Sequence, residues 1–188
     1  MKLKEKSGVI TLEACISLIL FTFLMLFFSG LMVLYAAQSE MSHVLLETSE
    51  SMSLDPYAIK KLNTTGDTIE ANLGTYVSQF ITMVFGNNGN NPYFATSVHW
   101  YDSEKDELPN IAKNRFIGYL SNGDESKADD ILKRYNVVSG LSGLDFSESK
   151  VDNGNLYLKV KYTLEYEFNA FGLFTIPMEQ TVKVKLFQ

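Results

Sequence analysis

The sequence predicts an α+β fold: a long N-terminal transmembrane helix continuing into an ectodomain of helices plus a C-terminal antiparallel β-meander. Three observations predict it. No charged side chain lies between Glu13 and Glu40, an apolar stripe at spacings of three and four continues beyond that gap, and two-residue alternation runs through residues 156–168. The 188 residues are 46% apolar and 20% charged, which is a composition that folds. Sixteen basic against 22 acidic residues give net charge −6, so a nucleic acid partner is not expected. One cysteine and two histidines supply neither an internal disulfide nor a three-histidine zinc site, and no cofactor is expected.

Residues 14–37, ACISLILFTFLMLFFSGLMVLYAA, are apolar on every side of a helical wheel. As a helix they extend about 36 Å, enough to cross a hydrocarbon layer of about 30 Å with some tilt. Soluble helices keep a water-facing stripe, and this run has none. Lys2, Lys4 and Lys6 precede it, whereas Glu40, His43 and Glu47 follow it. The positive-inside rule therefore keeps the amino end in the cytoplasm and sends the remainder outward. Without the three lysines and one glutamate of residues 1–8, 13 basic and 21 acidic residues remain, net −8. The expected location is the cytoplasmic membrane, crossed once, with membrane lipid as a partner.

Four readings of the amino end compete. A cleaved secretory signal would need a shorter apolar stretch and small residues at alternate positions, but Leu34 and Tyr35 precede Ala36 and Ala37. A lipoprotein would place its cysteine after the apolar run, and Cys15 comes at its start. A plain signal anchor accounts for the lysines and the run, with Glu13 snorkelling to the head groups. The fourth reading rests on Met-Lys-Leu-Lys-Glu-Lys-Ser-Gly followed by Val-Ile-Thr-Leu-Glu and then the apolar helix.

That last pattern resembles a type IV prepilin. The resemblance implies cleavage by a prepilin peptidase between Gly8 and Val9, and a glutamate, Glu13, at the fifth place of the product. In the family this carboxylate meets the new amine of a neighbouring subunit and sets register, so Glu13 and Val9 become the assembly residues. Charge pairing in low dielectric is strong, although desolvation takes much of it back. Val9 stands where many pilins have phenylalanine, and Ala14 where the main Flp-type pilins have tyrosine, which argues against a major pilin.

The expected organisation is a basic leader at 1–8, a long helix at 9–54 with its transmembrane segment at 14–37, and an extracytoplasmic α+β domain at 55–188. Met41, Val44, Leu45, Thr48 and Met52 carry the stripe beyond the membrane. Asp55-Pro56 offers a helix stop, or the start of a new short helix through Lys60 and Lys61. An amphipathic helix is expected over 65–85, packed on the sheet, then a Gly/Asn loop at 86–92, a strand at 94–101 and an acidic loop at 102–109. Short helices are expected over 110–120 and 124–135.

Leu156, Leu158, Val160, Tyr162, Leu164, Tyr166 and Phe168 alternate with polar residues and Tyr157. Asp152-Asn153-Gly154 supplies hairpin chemistry, with residues 145–151 as the partner strand and 178–187 as the third, Val182, Val184 and Leu186 inward. The architecture is similar to TadE-like minor pilins or pseudopilins of Flp (tight adherence) pili. That resemblance implies other pilin or pseudopilin subunits and an inner-membrane assembly platform as partners. Within a filament core, Ser29 and Gly30 would permit close approach or bending.

No nucleophile elbow, zinc-protease motif, P-loop or dinucleotide fingerprint occurs, so an enzyme is not expected. His43 and Glu47, at i and i+4, read as a surface pair. His99-Trp100-Tyr101 reads as a half-buried strand before it reads as a stacking site, and Asp102, Glu104, Asp106 and Glu107 read as solvated loop charge before a calcium site. The alternative to an assembly component is a signal-anchored adhesive or ligand-binding domain that never enters a filament.

Overall fold

A single unbroken helix of 61 residues, Leu3–Asn63, opens the fold. In the computed structural model the described residues are 3–63, 100–101, 107–166 and 174–187, with side chains described over 10–57 within the first of these segments. Helix α1 spans Leu3–Asn63, α2 Leu108–Ser121 and α3 Glu125–Arg134; a 3-10 turn covers Gly140–Gly143; strands are β1 Lys150–Asp152, β2 Asn155–Glu165 and β3 Thr175–Lys185. The expected helix at 65–85, the loop at 86–92, most of the strand at 94–101, Asp102, Glu104, Asp106 and Phe168 lie outside the described residues.

The stripe on α1 buries as its spacing requires. Ala37, Met41, Val44, Leu45 and Met52 are all buried, together with Thr48, Ser49 and Ser53. Those three hydroxyls donate to the helix's own carbonyls: Thr48 to Val44 at 2.7 Å, Ser49 to Leu46 at 2.8 Å and Ser53 to Glu50 at 2.7 Å. A helix face can thus bury polar groups without a distant partner.

Asp55-Pro56 does not stop the helix, which continues through Pro56 to Asn63. An interior proline removes one intrahelical bond and costs about 3 kcal/mol. The contacts around it oppose that cost. Asp55 is buried in an ion pair with Arg115, and the Phe187 amide donates to the Ser53 carbonyl at 3.1 Å. Tertiary packing here overrides a local breaker.

The expected short helices are present. Helix α2 has a proline in its first turn and ends on Asn122 at φ 56°, a left-handed cap. In α3, Asp124 caps the start by accepting from the Lys127 amide at 3.1 Å, and Lys133 and Arg134 sit in the last turn, where cations oppose the helix dipole favourably.

The sheet is antiparallel in the order β1-β2-β3. Leu156, Leu158, Val160, Tyr162 and Leu164 are buried, while their neighbours face out. On β3, Met178, Gln180, Val182 and Val184 form the half-buried face and Leu186 is buried. The β1–β2 turn has positive φ at Asn153 (50°) and Gly154 (72°), as a type I′ turn demands.

Of the expected strand at 145–151 only residues 150 and 151 belong to one, β1, which runs Lys150–Asp152. Asp145 Oδ1 accepts from the Ser147 amide at 2.9 Å, and the Ser149 amide donates to the Phe146 carbonyl at 3.0 Å. These turns interrupt the strand, as Asp and Ser side chains do when they compete with a ladder. The edge of β2 is nevertheless satisfied: Asp145 exchanges two backbone bonds with Lys161, and the Ser149 hydroxyl accepts from the Lys159 amide and donates to its carbonyl.

On the outer face, Glu148 pairs with Lys159 and Lys161, and Lys159 also pairs with Glu179 at 2.7 Å. Hydrogen bonds from the two lysines hold the Glu148 carboxyl down at about 2. Because the folded value lies below the unfolded one, the network's stabilisation is present above about pH 4.5 and is lost as pH falls through about 2. Asp124, Asp129 and Asp145 are lowered too, chiefly by hydrogen bonds, and share this acid limb. Glu148→Gln is expected to flatten the loss of stability over that window and to do little at neutral pH, since exposed pairs are weak. Denaturant unfolding across the acid range checks it; an unchanged slope would assign the acid limb elsewhere.

Candidate functional site

Two regions of α1 differ completely in their surroundings. From Ile10 to Tyr35, the large exposed apolar residues, among them Leu12, Phe21, Phe23 and Phe28, are 41–72% exposed. From Ala37 onward the inward face is covered. An exposed apolar surface of this extent is not stable in water, and it marks a site of contact with lipid or protein. The helix is long and apolar enough to cross a membrane by length and composition, and a signal sequence passes the same test.

The sequence-derived site residues cluster at the start of this uncovered region. Gly8 and Val9 lie on the α1 backbone, as do Lys4 and Lys6; side chains through Val9, and Lys2 altogether, fall outside the described residues. Glu13 and Cys15 are exposed. Between Glu13 and Glu40, α1 carries no ionisable side chain except the thiol of Cys15 and the phenol of Tyr35.

Three cross-links hold the sheet along α1. The Tyr166 hydroxyl donates to the Phe27 carbonyl at 2.9 Å, Gln180 Nε2 donates to the Gln38 carbonyl at 3.1 Å, and Phe187 N–H donates to the Ser53 carbonyl. Gly30 permits the lowest of these: a Cβ there would meet the Tyr166 ring at 2.6 Å. The neighbour that Gly30 admits in this structure is the chain's own Tyr166, a contact different from the filament packing or bend expected there. Gln180 Nε2 also donates to the Tyr162 hydroxyl at 3.0 Å, and burial pushes the Tyr162 phenol up to about 12.

Higher on α1 sits a buried polar cluster that sequence reasoning missed. Arg115, fully buried, contacts both oxygens of Asp55, at 3.0 Å and 2.9 Å, and Ser51 Oγ at 3.2 Å. Trp100 Nε1 donates to Asp55 Oδ2 at 2.9 Å. Removal from water raises the Asp55 carboxyl, while Arg115 and Trp100 pull it back. Burial likewise raises the Tyr119 phenol, which hydrogen-bonds Ser51. Among the described residues, Arg115 Nε and Nη2 have no partner. Trp100 and Tyr101 are in a turn rather than a strand, ring against ring at 5.7 Å. Trp100 is 1% exposed, so it is a clamp residue and not an open stacking platform.

The remaining candidate features are modest. His43 Nδ1 and Glu47 Oε2 are 3.8 Å apart at the surface, the arrangement expected of an i,i+4 pair. No group of three or more His, Cys, Asp or Glu among the described residues is placed to hold a metal ion. No family model, curated protein or solved structure matches the chain.

Proposed function

We propose that this chain is a minor pilin or pseudopilin, a structural component of Flp/Tad-type pilus assembly, cut by a prepilin peptidase between Gly8 and Val9. The observation that carries the reading is the uncovered lower half of α1, continuous with a helix firmly clamped by the ectodomain, with Glu13 alone at its charged threshold. Half-exposed aliphatic and aromatic side chains gain roughly 1 kcal/mol each on leaving water. Over residues 10–35 the total is on the order of 15 kcal/mol, which favours lipid before assembly and a helix-packed filament core afterward.

Before processing, the chain spans the cytoplasmic membrane once with Lys2, Lys4 and Lys6 inside. Gly8 is the weakest helix former of the leader, which eases local unwinding at the scissile bond. Cleavage leaves an ammonium on Val9, and the Glu13 carboxylate of a neighbouring subunit neutralises it. Two charges that are each costly in hydrocarbon then become one pair.

The test combines mass and assembly. Coexpression with a prepilin peptidase should lower the intact mass by that of residues 1–8, and Gly8→Leu should block the change. Glu13→Ala should still be cut yet be lost from filaments, whereas Glu13→Asp should retain part of its incorporation. An uncut leader, or full incorporation of Glu13→Ala, would instead favour an anchored adhesive or ligand-binding ectodomain.

A further inference from the structure

Strand β3 leaves one edge of the sheet unpaired. Tyr166 N–H donates to the Phe174 carbonyl and Leu186 N–H to the Gly154 carbonyl, both at 2.9 Å, so the even-numbered residues of β3 turn their backbone groups toward β2. The odd-numbered ones turn theirs the other way. Pro177 has no N–H, which leaves Thr175, Glu179, Thr181, Lys183 and Lys185 as donors on the free edge. None of these five amides has a backbone partner on that side among the described residues. Just past the strand, by contrast, Phe187 N–H meets the Ser53 carbonyl of α1. A free ladder of this kind is a template for another strand.

The surroundings of the upper half of that edge define what fits it. On the inward face, Leu156, Leu158 and Val160 of β2 are buried, whereas Val184, Val182 and Gln180 opposite them stay half-buried. Beside them runs a flank of α1: Ser42, Leu46, Ser49 and Ser53 share one face of the helix, and Ser53 is where Phe187 attaches. Leu46 lies eight residues past Gln38, about 12 Å along the helix, which is the level of Lys183 and Val184 when Gln180 is set against Gln38. It is 44% exposed. On the outer face of the sheet Glu179 is taken by Lys159, but Lys183 and Lys185 make no ion pair among the described residues. Lys183 instead lies over the Tyr157 ring at 5.2 Å. Aliphatic groups inward and unpaired ammoniums outward, along one free ladder, match a strand that alternates aliphatic with acidic residues.

We propose that the free edge of β3 over residues 179–185 receives an extended strand of a partner protein, with carboxylates opposite Lys183 and Lys185 and aliphatic side chains between them that cover Val182, Val184 and Leu46. Main-chain bonds supply the affinity, and the two lysines select the partner. A second copy in the same membrane does not fit. Gln38 meets Gln180 and Ser53 meets Phe187, so β3 runs in the direction of α1, and antiparallel pairing of two β3 strands would turn one α1 over. Parallel pairing at one depth would set Lys183 beside Lys183, and like charges side by side repel. The partner strand goes beyond the pilin reading and does not require entry into a filament.

Amide hydrogen exchange of the full chain in detergent micelles tests it, with a short synthetic peptide of alternating valine and glutamate as the probe and a valine–lysine peptide as its control. Without peptide, the Glu179, Thr181, Lys183 and Lys185 amides should exchange fast, while those of Val182 and Val184, bonded to β2, exchange slowly. The valine–glutamate peptide should slow the four free-edge amides roughly ten-fold, and the valine–lysine peptide should leave them fast. Thr181→Pro should abolish the protection with Val182 and Val184 still slow, because the N–H it removes is on the free edge. Lys183→Glu with Lys185→Glu should exchange the effects of the two peptides. Slow free-edge amides before any peptide is added would overturn the proposal by showing that the chain covers this edge itself. Protection that grows with protein concentration alone would overturn it in favour of a second copy. Equal protection by both peptides, or protection by neither, would also overturn it.

Discussion

Asp55→Ala is expected to lower the unfolding free energy of the ectodomain by about 3–5 kcal/mol, the cost of leaving a buried charge without its partner. Arg115 is fully buried and its ionised contacts among the described residues all go to Asp55. Trp100 Nε1 would lose its acceptor in the same step. Removing both charges together should behave differently, because apolar replacement of a whole buried pair is often neutral. Asp55→Leu with Arg115→Met is therefore expected to regain most of the loss, and a double-mutant cycle read by Trp100 emission in denaturant measures the difference. A loss below about 1 kcal/mol in Asp55→Ala would mean that water reaches the pair and that the clamp lies elsewhere.

The same cluster explains why one boundary could not be read from the chain. Asp55-Pro56 carries a local stop signal, and what overrules it is Arg115, sixty residues away and paired through tertiary packing. Nothing near Asp55 in sequence announces that partner. An arginine in the middle of the apolar face of α2, between Ala112 and Phe116, was the available signal, since charges on a buried face call for a counterion. By contrast, the inward set on β2 was legible residue by residue, because a period of two has only one way to face a core. Residues 145–151 fell between these cases: the alternation was weak, the Asp145 side chain closes a turn on the Ser147 amide, and the Ser149 hydroxyl takes the place of a ladder partner by bonding the Lys159 backbone. The contact of Tyr166 with Gly30 was not legible, because Tyr166 reaches it only through the register of sheet on helix.

A pair of lysines placed in the lower part of α1 is expected to release the chain from the membrane, where one lysine is not. On insertion scales, leucine, isoleucine, phenylalanine and valine contribute about −0.3 to −0.6 kcal/mol each, so those in residues 14–37 total about −4 to −8 kcal/mol. One lysine near the centre costs about 2.5–3.5 kcal/mol, which leaves insertion favourable. Met25→Lys should accordingly remain with the membrane fraction after alkaline extraction, while Phe21→Lys with Met25→Lys, costing about 6 kcal/mol, brings the balance near zero and should appear largely in the supernatant. Both residues are about half exposed, so neither change removes a contact from the folded ectodomain. Trp100 emission and resistance to proteolysis of the ectodomain should therefore stay unchanged in both variants. This separates failed insertion from failed folding. Full retention of the double variant would show that something other than the apolar helix holds the chain to the membrane, and extraction of the wild type would show that α1 is covered by protein instead of lipid.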